Sequence, residues 1–226
     1  MQDLDEAITH VVRSSFSYQG QKCSACSRLI VLEEIYDRLI VRLKAAAESV
    51  ILGPPEKPEN FVGAVVSEEA AEKINDLISK AKADGAGAIV ERSVSGEGYS
   101  VPLTILVDVK RYDLIAHKEV FGPVLSVIKV KNFEEAFDVA NCTEYALTGG
   151  IFSRSPKNIE RAKEEFRVGN LYINRGCTGA VVGRRPFGGF KMSGTGPKAG
   201  GPEYLSHFMI TRNIVENTLR RGFAPE

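Results

Sequence analysis

Short β-branched or apolar runs alternate along this chain with amphipathic stretches of helical period, and no other feature restricts its fold more tightly. Residues 3–17 place Leu4, Ile8, Val11, Val12 and Phe16 on one helix face, with acids in the first turn and an aspartate to cap it. A strand follows over Arg28 to Leu32. The helical period returns over 34–50, where Ile35, Leu39, Leu43, Ala46, Ala47 and Val50 share a face and Gly53-Pro54-Pro55 ends the run. Ser67-Glu68-Glu69-Ala70 opens a third helix that closes at Gly85. Beyond it the pattern predicts a strand at 88–90, a turn at Gly96-Glu97-Gly98, and strands within 101–109 and at 124–130. A helix over 133–141, a strand at 149–153, a helix at 155–166 capped by Ser155 with Pro156 first, and a strand at 169–174 complete the alternation. Tyr204 to Asn217 alternates as a strand does, and 218–226 reads as a tail. Strands alternating with helices of these lengths imply α/β layers around a largely parallel sheet.

At 226 residues and 43% hydrophobic composition the chain can bury a sizeable core. Lysine plus arginine equals aspartate plus glutamate at 29 each, so no net field draws it to nucleic acid or an anionic membrane. No apolar run reaches membrane-spanning length, and the first residues are acidic and polar rather than signal-like. Four cysteines without a dense framework suit a reducing compartment, and the chain reads as cytoplasmic. No Gly-x-Gly-x-x-Gly opens a βαβ unit, so the sequence carries no dinucleotide fingerprint of its own.

Chemistry concentrates at Gln19-Gly20-Gln21-Lys22-Cys23-Ser24-Ala25-Cys26-Ser27-Arg28, a turn of small residues between an amphipathic helix and a strand. A thiol there attacks only as thiolate, which requires a helix dipole, a cation such as Lys22, or a hydrogen-bonding base. Read from the residues alone, Cys23 is a nucleophile or, with Cys26, half of a buried structural pair. A dithiol redox pair would want a thioredoxin-like βαβ context. A zinc site is weaker still, because Cys142, Cys177, His10, His117 and His207 stand singly, and no metal is expected.

Three further stretches suit ligand contact. Lys118-Glu119-Val120-Phe121-Gly122-Pro123 fixes a bend ahead of an apolar strand, and Glu119 taken alone reads as a solvated acid. Asn174 to Gly183 follows a strand and is rich in small residues, so its amides can approach an anion, although an ordinary connecting loop has the same composition. Pro186-Phe187-Gly188-Gly189 carries an aromatic that the core would also accept.

Taken together and in this order, these blocks resemble the aldehyde dehydrogenase superfamily over about residues 3–215. Gly20-Gln21-Lys22-Cys23 is similar to its nucleophile motif, and the longer run through Arg28 resembles the branch that oxidises 1-pyrroline-5-carboxylate, the cyclic form of glutamate γ-semialdehyde. So does Gly196-Pro197-Lys198-Ala199-Gly200-Gly201-Pro202. The resemblance implies the three-layer catalytic-domain fold of that family over 1–203, a mostly parallel sheet flanked by helices, with 204–226 as a C-terminal strand and tail. It implies Cys23 as nucleophile, Glu119 on the nicotinamide ribose and Phe121 beside the nicotinamide ring. It further implies Gly179, Ala180 and the Ser24 hydroxyl on the substrate carboxylate, and Phe187 as a wall of the aldehyde tunnel.

NAD is the implied cofactor, with NADP the alternative, and a small semialdehyde the substrate. In that family the oxyanion asparagine, the general-base glutamate and the dinucleotide-binding domain precede the nucleophile, so the resemblance implies about the second half of a full enzyme. Either a homo-oligomer or association with a separate NAD-binding half then follows. The alternatives are a dehydrogenase for a neighbouring semialdehyde, one releasing the acyl group to a thiol cofactor, and an inactive domain that retains the fold.

Overall fold

The structure is a computed structural model and describes residues 4–93, 98–218 and 222. The aspartate expected to cap the first helix, Asp3, and most of the turn expected at Gly96-Glu97-Gly98 lie outside these residues. Helix α1 (Leu4–Phe16) leads through a 3-10 turn (Ser17–Gly20) and a loop into β1 (Arg28–Leu32). Then come α2 (Glu33–Glu48), α3 (Glu68–Ala83), β2 (Gly87–Arg92), β3 (Leu103–Val107), a one-turn α4 (Leu114–His117), β4 (Val124–Val130) and α5 (Phe133–Asn141). The remainder holds β5 (Tyr145–Ala146), β6 (Thr148–Ile151), α6 (Pro156–Glu165), β7 (Asn170–Ile173), β8 (Phe190–Lys191) and a second 3-10 stretch (Pro202–Phe208).

Caps set the helix starts where the side chains allow. The Ser67 hydroxyl accepts from Ala70 N at 3.2 Å, Asn132 Oδ1 from Glu135 N at 2.9 Å, and Ser155 Oγ from Asn158 N at 3.4 Å. Pro156 occupies the first turn of α6, where its missing N–H costs nothing. Gly85, at φ +105°, ends α3 in a conformation that a side chain would resist.

The main sheet has the order β1-β4-β3-β2. β1 and β3 run parallel to β4, whereas β2 pairs antiparallel with β3. All five residues of β3 are buried, as a central strand covered on both faces must be. Side chains alternate between the faces. Leu106, Val124, Ile128 and Val130 join Ile74, Leu77 and Ile78 of α3 and Val139 of α5 in one cluster. Leu103, Ile105, Leu125 and Val127 join Ile8, Val11 and Phe16 of α1 and Leu39 and Leu43 of α2 in the other. Helices on both sides of one sheet make the three layers.

The mostly parallel sheet flanked by helices is as expected, with β6 and β7 as a further parallel pair and β5 antiparallel to β8. One expectation needs correction. The C-terminal strand expected from Tyr204 is a 3-10 stretch over Pro202–Phe208, and residues 209–218 form neither helix nor strand. Pro202 starts that stretch, and Tyr204 stacks edge-on with His207 and Phe208 at centroid distances of 5.5 and 5.6 Å. Such neighbours three and four apart satisfy a helical turn, not a strand.

Candidate active site

Cys23 owes its position to backbone geometry. Phe16 is wholly buried at the end of α1, and beyond it Tyr18, Gln19 and Gly20 all adopt left-handed conformations at φ 55°, 57° and 66°. These three residues reverse the chain so that Gln21 N bonds Tyr18 O at 2.9 Å and Ala25 N bonds Lys22 O at 3.0 Å. The second of these bonds closes the turn that carries Cys23 and exposes its thiol.

Gly20 also makes the site's tightest backbone approach. A Cβ on it would lie 2.1 Å from the carbonyl oxygen of Gly122 and 2.9 Å from that of Ser15. Gly122 is itself wedged, because a Cβ there would lie 2.6 Å from Ile74 Cδ1 in the core. The Cys23 turn thus packs directly on the Glu119–Pro123 block, glycine against glycine. Val120, buried in the cluster beneath, anchors the block, while Glu119 and Phe121 on either side of it are exposed. Phe121 sits at φ 57°, an uncommon conformation for a bulky residue that the surrounding packing must enforce.

Phe187 arrives from the other side. Its N–H and carbonyl pair with Ala199 at 2.9 Å in both directions. Asn170, first residue of β7, spans the neighbouring peptides: its Nδ2 donates to Pro186 O at 2.8 Å and its Oδ1 accepts from Gly188 N at 3.4 Å. Lys198 Nζ donates to the Gly169 carbonyl, closing the back of the loop.

Cys23, Glu119, Phe121 and Phe187 line one cleft of about 580 Å³, together with His117, Tyr204 and His207. Ser24, Gly179 and Ala180 do not line it. Gly179 and Ala180 are exposed on the loop after β7, and that loop meets the nucleophile turn through Cys177, whose Sγ lies 3.5 Å from the Ser24 carbonyl oxygen. A side chain on Gly179 would stand 3.0 Å from Arg175 Nη2 and 3.7 Å from Arg185 Nη1, so two guanidinium groups flank that backbone.

The cation beside Cys23 is directed elsewhere. Lys22 Nζ donates to Ser17 Oγ at 2.7 Å and lies 5.4 Å from the centre of the Tyr18 ring. Burial holds its pKa below the ordinary value, and the thiol it interacts with is that of Cys177. Arg28 has a structural task that the sequence did not signal. Its Nη1 and Nη2 donate to the carbonyls of Val139 and Ala140, both at 3.0 Å, tying the start of β1 to the C-terminal turn of α5. The roles of Asn170 and Arg185 and the contacts of Arg28 escaped sequence reasoning, and Gly122 was read only as part of the bend at Gly122-Pro123. Among the described residues no three of His, Cys, Asp and Glu converge as metal ligands.

The arrangement offers a solvent-reached thiol, a carboxylate and two aromatic rings around one space, with cations beside a neighbouring glycine loop. The profile of the aldehyde dehydrogenase family matches residues 1–214. A 1-pyrroline-5-carboxylate dehydrogenase from Oceanobacillus iheyensis is 44% identical over 214 residues, which cover 95% of this chain and 42% of that protein. Proline utilization A from Bdellovibrio bacteriovorus superposes with a TM-score of 0.93 at 53% identity, covering 100% of this chain and 23% of that one. A 1-pyrroline-5-carboxylate dehydrogenase from Thermus with bound NAD gives a TM-score of 0.87 at 44% identity, over 92% of this chain and 40% of that one. The chain thus spans less than half the length of the curated relatives it matches.

Proposed function

The chain belongs to the aldehyde dehydrogenase family, and on that premise we propose that it supplies the nucleophile and substrate wall of an NAD-dependent 1-pyrroline-5-carboxylate dehydrogenase acting in proline catabolism. The observation that carries the reading is the single cleft that gathers Cys23, Glu119, Phe121 and Phe187 from three separate parts of the chain.

In this reading the Cys23 thiolate adds to the aldehyde carbon of glutamate γ-semialdehyde, giving a thiohemiacetal whose oxyanion the Cys23 backbone N–H receives. Phe187 packs on the aliphatic part of the substrate. The substrate carboxylate is held by the Gly179 and Ala180 amides and the Ser24 hydroxyl, and Arg175 and Arg185 supply positive potential at the same loop. The donor set fits the nicotinamide end of NAD, since Glu119 offers an exposed carboxylate for two ribose hydroxyls and Phe121 an exposed face for a flat ring. When bound, NAD supplies the hydride acceptor. Water then releases the acid from the Cys23 thioester. The same reading places the protein in the cytoplasm, as an oligomer or in association with a nucleotide-binding half.

Protection from alkylation tests the substrate without requiring turnover. Glutamate γ-semialdehyde is expected to slow iodoacetamide labelling of Cys23, while an aldehyde of equal length without the carboxylate protects several-fold less. Equal labelling rates with and without the semialdehyde would overturn the reading.

A further inference from the structure

Two cysteines that the proposed chemistry leaves unused lie together beneath the nucleophile turn. Cys26 and Cys177, far apart in sequence, are both half-buried and both line a second cavity of about 310 Å³ bounded by α1, β1, α5 and β6. Each thiol perturbs the ionisation of the other, as only near neighbours do. Both sit on the same short stretch of chain. Cys26 Sγ lies 3.5 Å from the Arg28 carbonyl oxygen and Cys177 Sγ lies 3.5 Å from that of Ser24. Both also rest on Ser14, whose carbonyl accepts from Cys26 N at 3.1 Å and whose Oγ would be 2.8 Å from a Cβ on Gly176.

The surroundings divide the two thiols into a nucleophile and a partner. The hydrogen bond from Cys26, with help from the Ser14 side chain and the Lys22 ammonium, brings Cys177 down to about 7 against the opposing effect of burial. The same hydrogen bond, together with burial, holds Cys26 well above an ordinary thiol. Of the two, Cys177 is therefore the one that ionises first.

We propose that Cys26 and Cys177 form a peroxide-responsive dithiol site, closing to a disulfide that ties the nucleophile turn to the Gly176–Ala180 loop and leaves Cys23 reduced. The Cys177 thiolate attacks one peroxide oxygen, the O–O bond breaks, hydroxide leaves, and a sulfenic acid forms. Cys26 sulfur then attacks that sulfur, displacing the hydroxyl as water while the Cys26 proton passes to solvent. Two thiols and one hydrogen peroxide yield one disulfide and two waters, the peroxide taking the two electrons. Because Cys26 and Cys177 share one cavity and rest on one short stretch of chain, capture outruns diffusion of a second peroxide.

The test treats the full chain with stoichiometric hydrogen peroxide, blocks the remaining thiols, and maps tryptic peptides. The site predicts a fall from four free thiols to two, restored by dithiothreitol. It also predicts a cross-link between the Cys23–Arg28 and Gly176–Arg184 peptides, placed on Cys26 by fragmentation. The link should persist in Cys23→Ala and disappear in Cys26→Ser. Fragmentation of the wild-type peptide decides the assignment even if Cys26→Ser does not fold. Four thiols remaining, a link through Cys23, or over-oxidation of Cys23 with Cys26 and Cys177 still free would each overturn the proposal.

Discussion

Gly20→Ala separates backbone clash from backbone strain at the nucleophile turn. At φ +66° an alanine pays roughly 1–2 kcal/mol for the left-handed conformation alone. Its Cβ would also meet Gly122 O at 2.1 Å, Gly122 C at 2.7 Å and Ser15 O at 2.9 Å, all of them backbone atoms without a flexible end to swing aside. An ordinary contact needs about 3.4 Å or more, so the turn and the Glu119–Pro123 block must part by on the order of 1 Å, which is overpacking worth roughly 1–3 kcal/mol more. The sum, about 2–5 kcal/mol, is a large share of the stability of an ordinary domain. Gly85→Ala is the control, since it lies at φ +105° with nothing within 4 Å of the added carbon and carries strain alone. Urea unfolding of both variants against the wild type is the assay, and iodoacetamide labelling of Cys23 reads the turn directly. Gly20→Ala should lose about 1–3 kcal/mol more than Gly85→Ala and should change the labelling rate. If the two variants lie within about 1 kcal/mol of each other, glycine-on-glycine packing does not fix the nucleophile.

Three further outcomes follow from named contacts. Asn170→Asp replaces the donor to Pro186 O with a second acceptor, so the Phe187 loop should loosen, seen as faster hydrogen exchange at Gly188 and a stability loss of about 1–3 kcal/mol. Arg28→Ala leaves the Val139 and Ala140 carbonyls without their donors and should cost a similar roughly 1–3 kcal/mol in thermal unfolding. Cys177 labelling by iodoacetamide should rise through a midpoint of about 7, its pKa being lowered, and Cys26 should label only at distinctly higher pH, its pKa being raised.

Local chemistry was legible in the sequence wherever one segment decides its own conformation. The helix over 133–141 is read to the residue, because Asn132 caps it and the apolar period runs unbroken. Strand β4 is equally clear as an apolar run after Gly122-Pro123, broken only by Ser126 and Lys129. Pairing direction was not. β3 is buried on both faces and shows no alternation, and the short partly exposed β2 at the sheet edge carries nothing that fixes its direction against β3. The end of the chain misled for a different reason, since Tyr204, His207 and Phe208 satisfy a helical turn that a two-residue period obscures. In the site, Cys23, Glu119, Phe121 and Phe187 stood out as motif residues. What holds them, Gly20 on Gly122, Asn170 around Phe187 and Arg28 on α5, consists of contacts between distant segments that no window of sequence contains.

The most direct measurement is acylation of the chain by p-nitrophenyl acetate, which needs neither NAD nor a full turnover. The account predicts a rapid release of about one nitrophenolate per chain, with the acetyl group mapped to Cys23 and the burst absent in Cys23→Ala. An acetyl group found on Cys177, Cys26 or Cys142 instead, or a burst undiminished in Cys23→Ala, would contradict it.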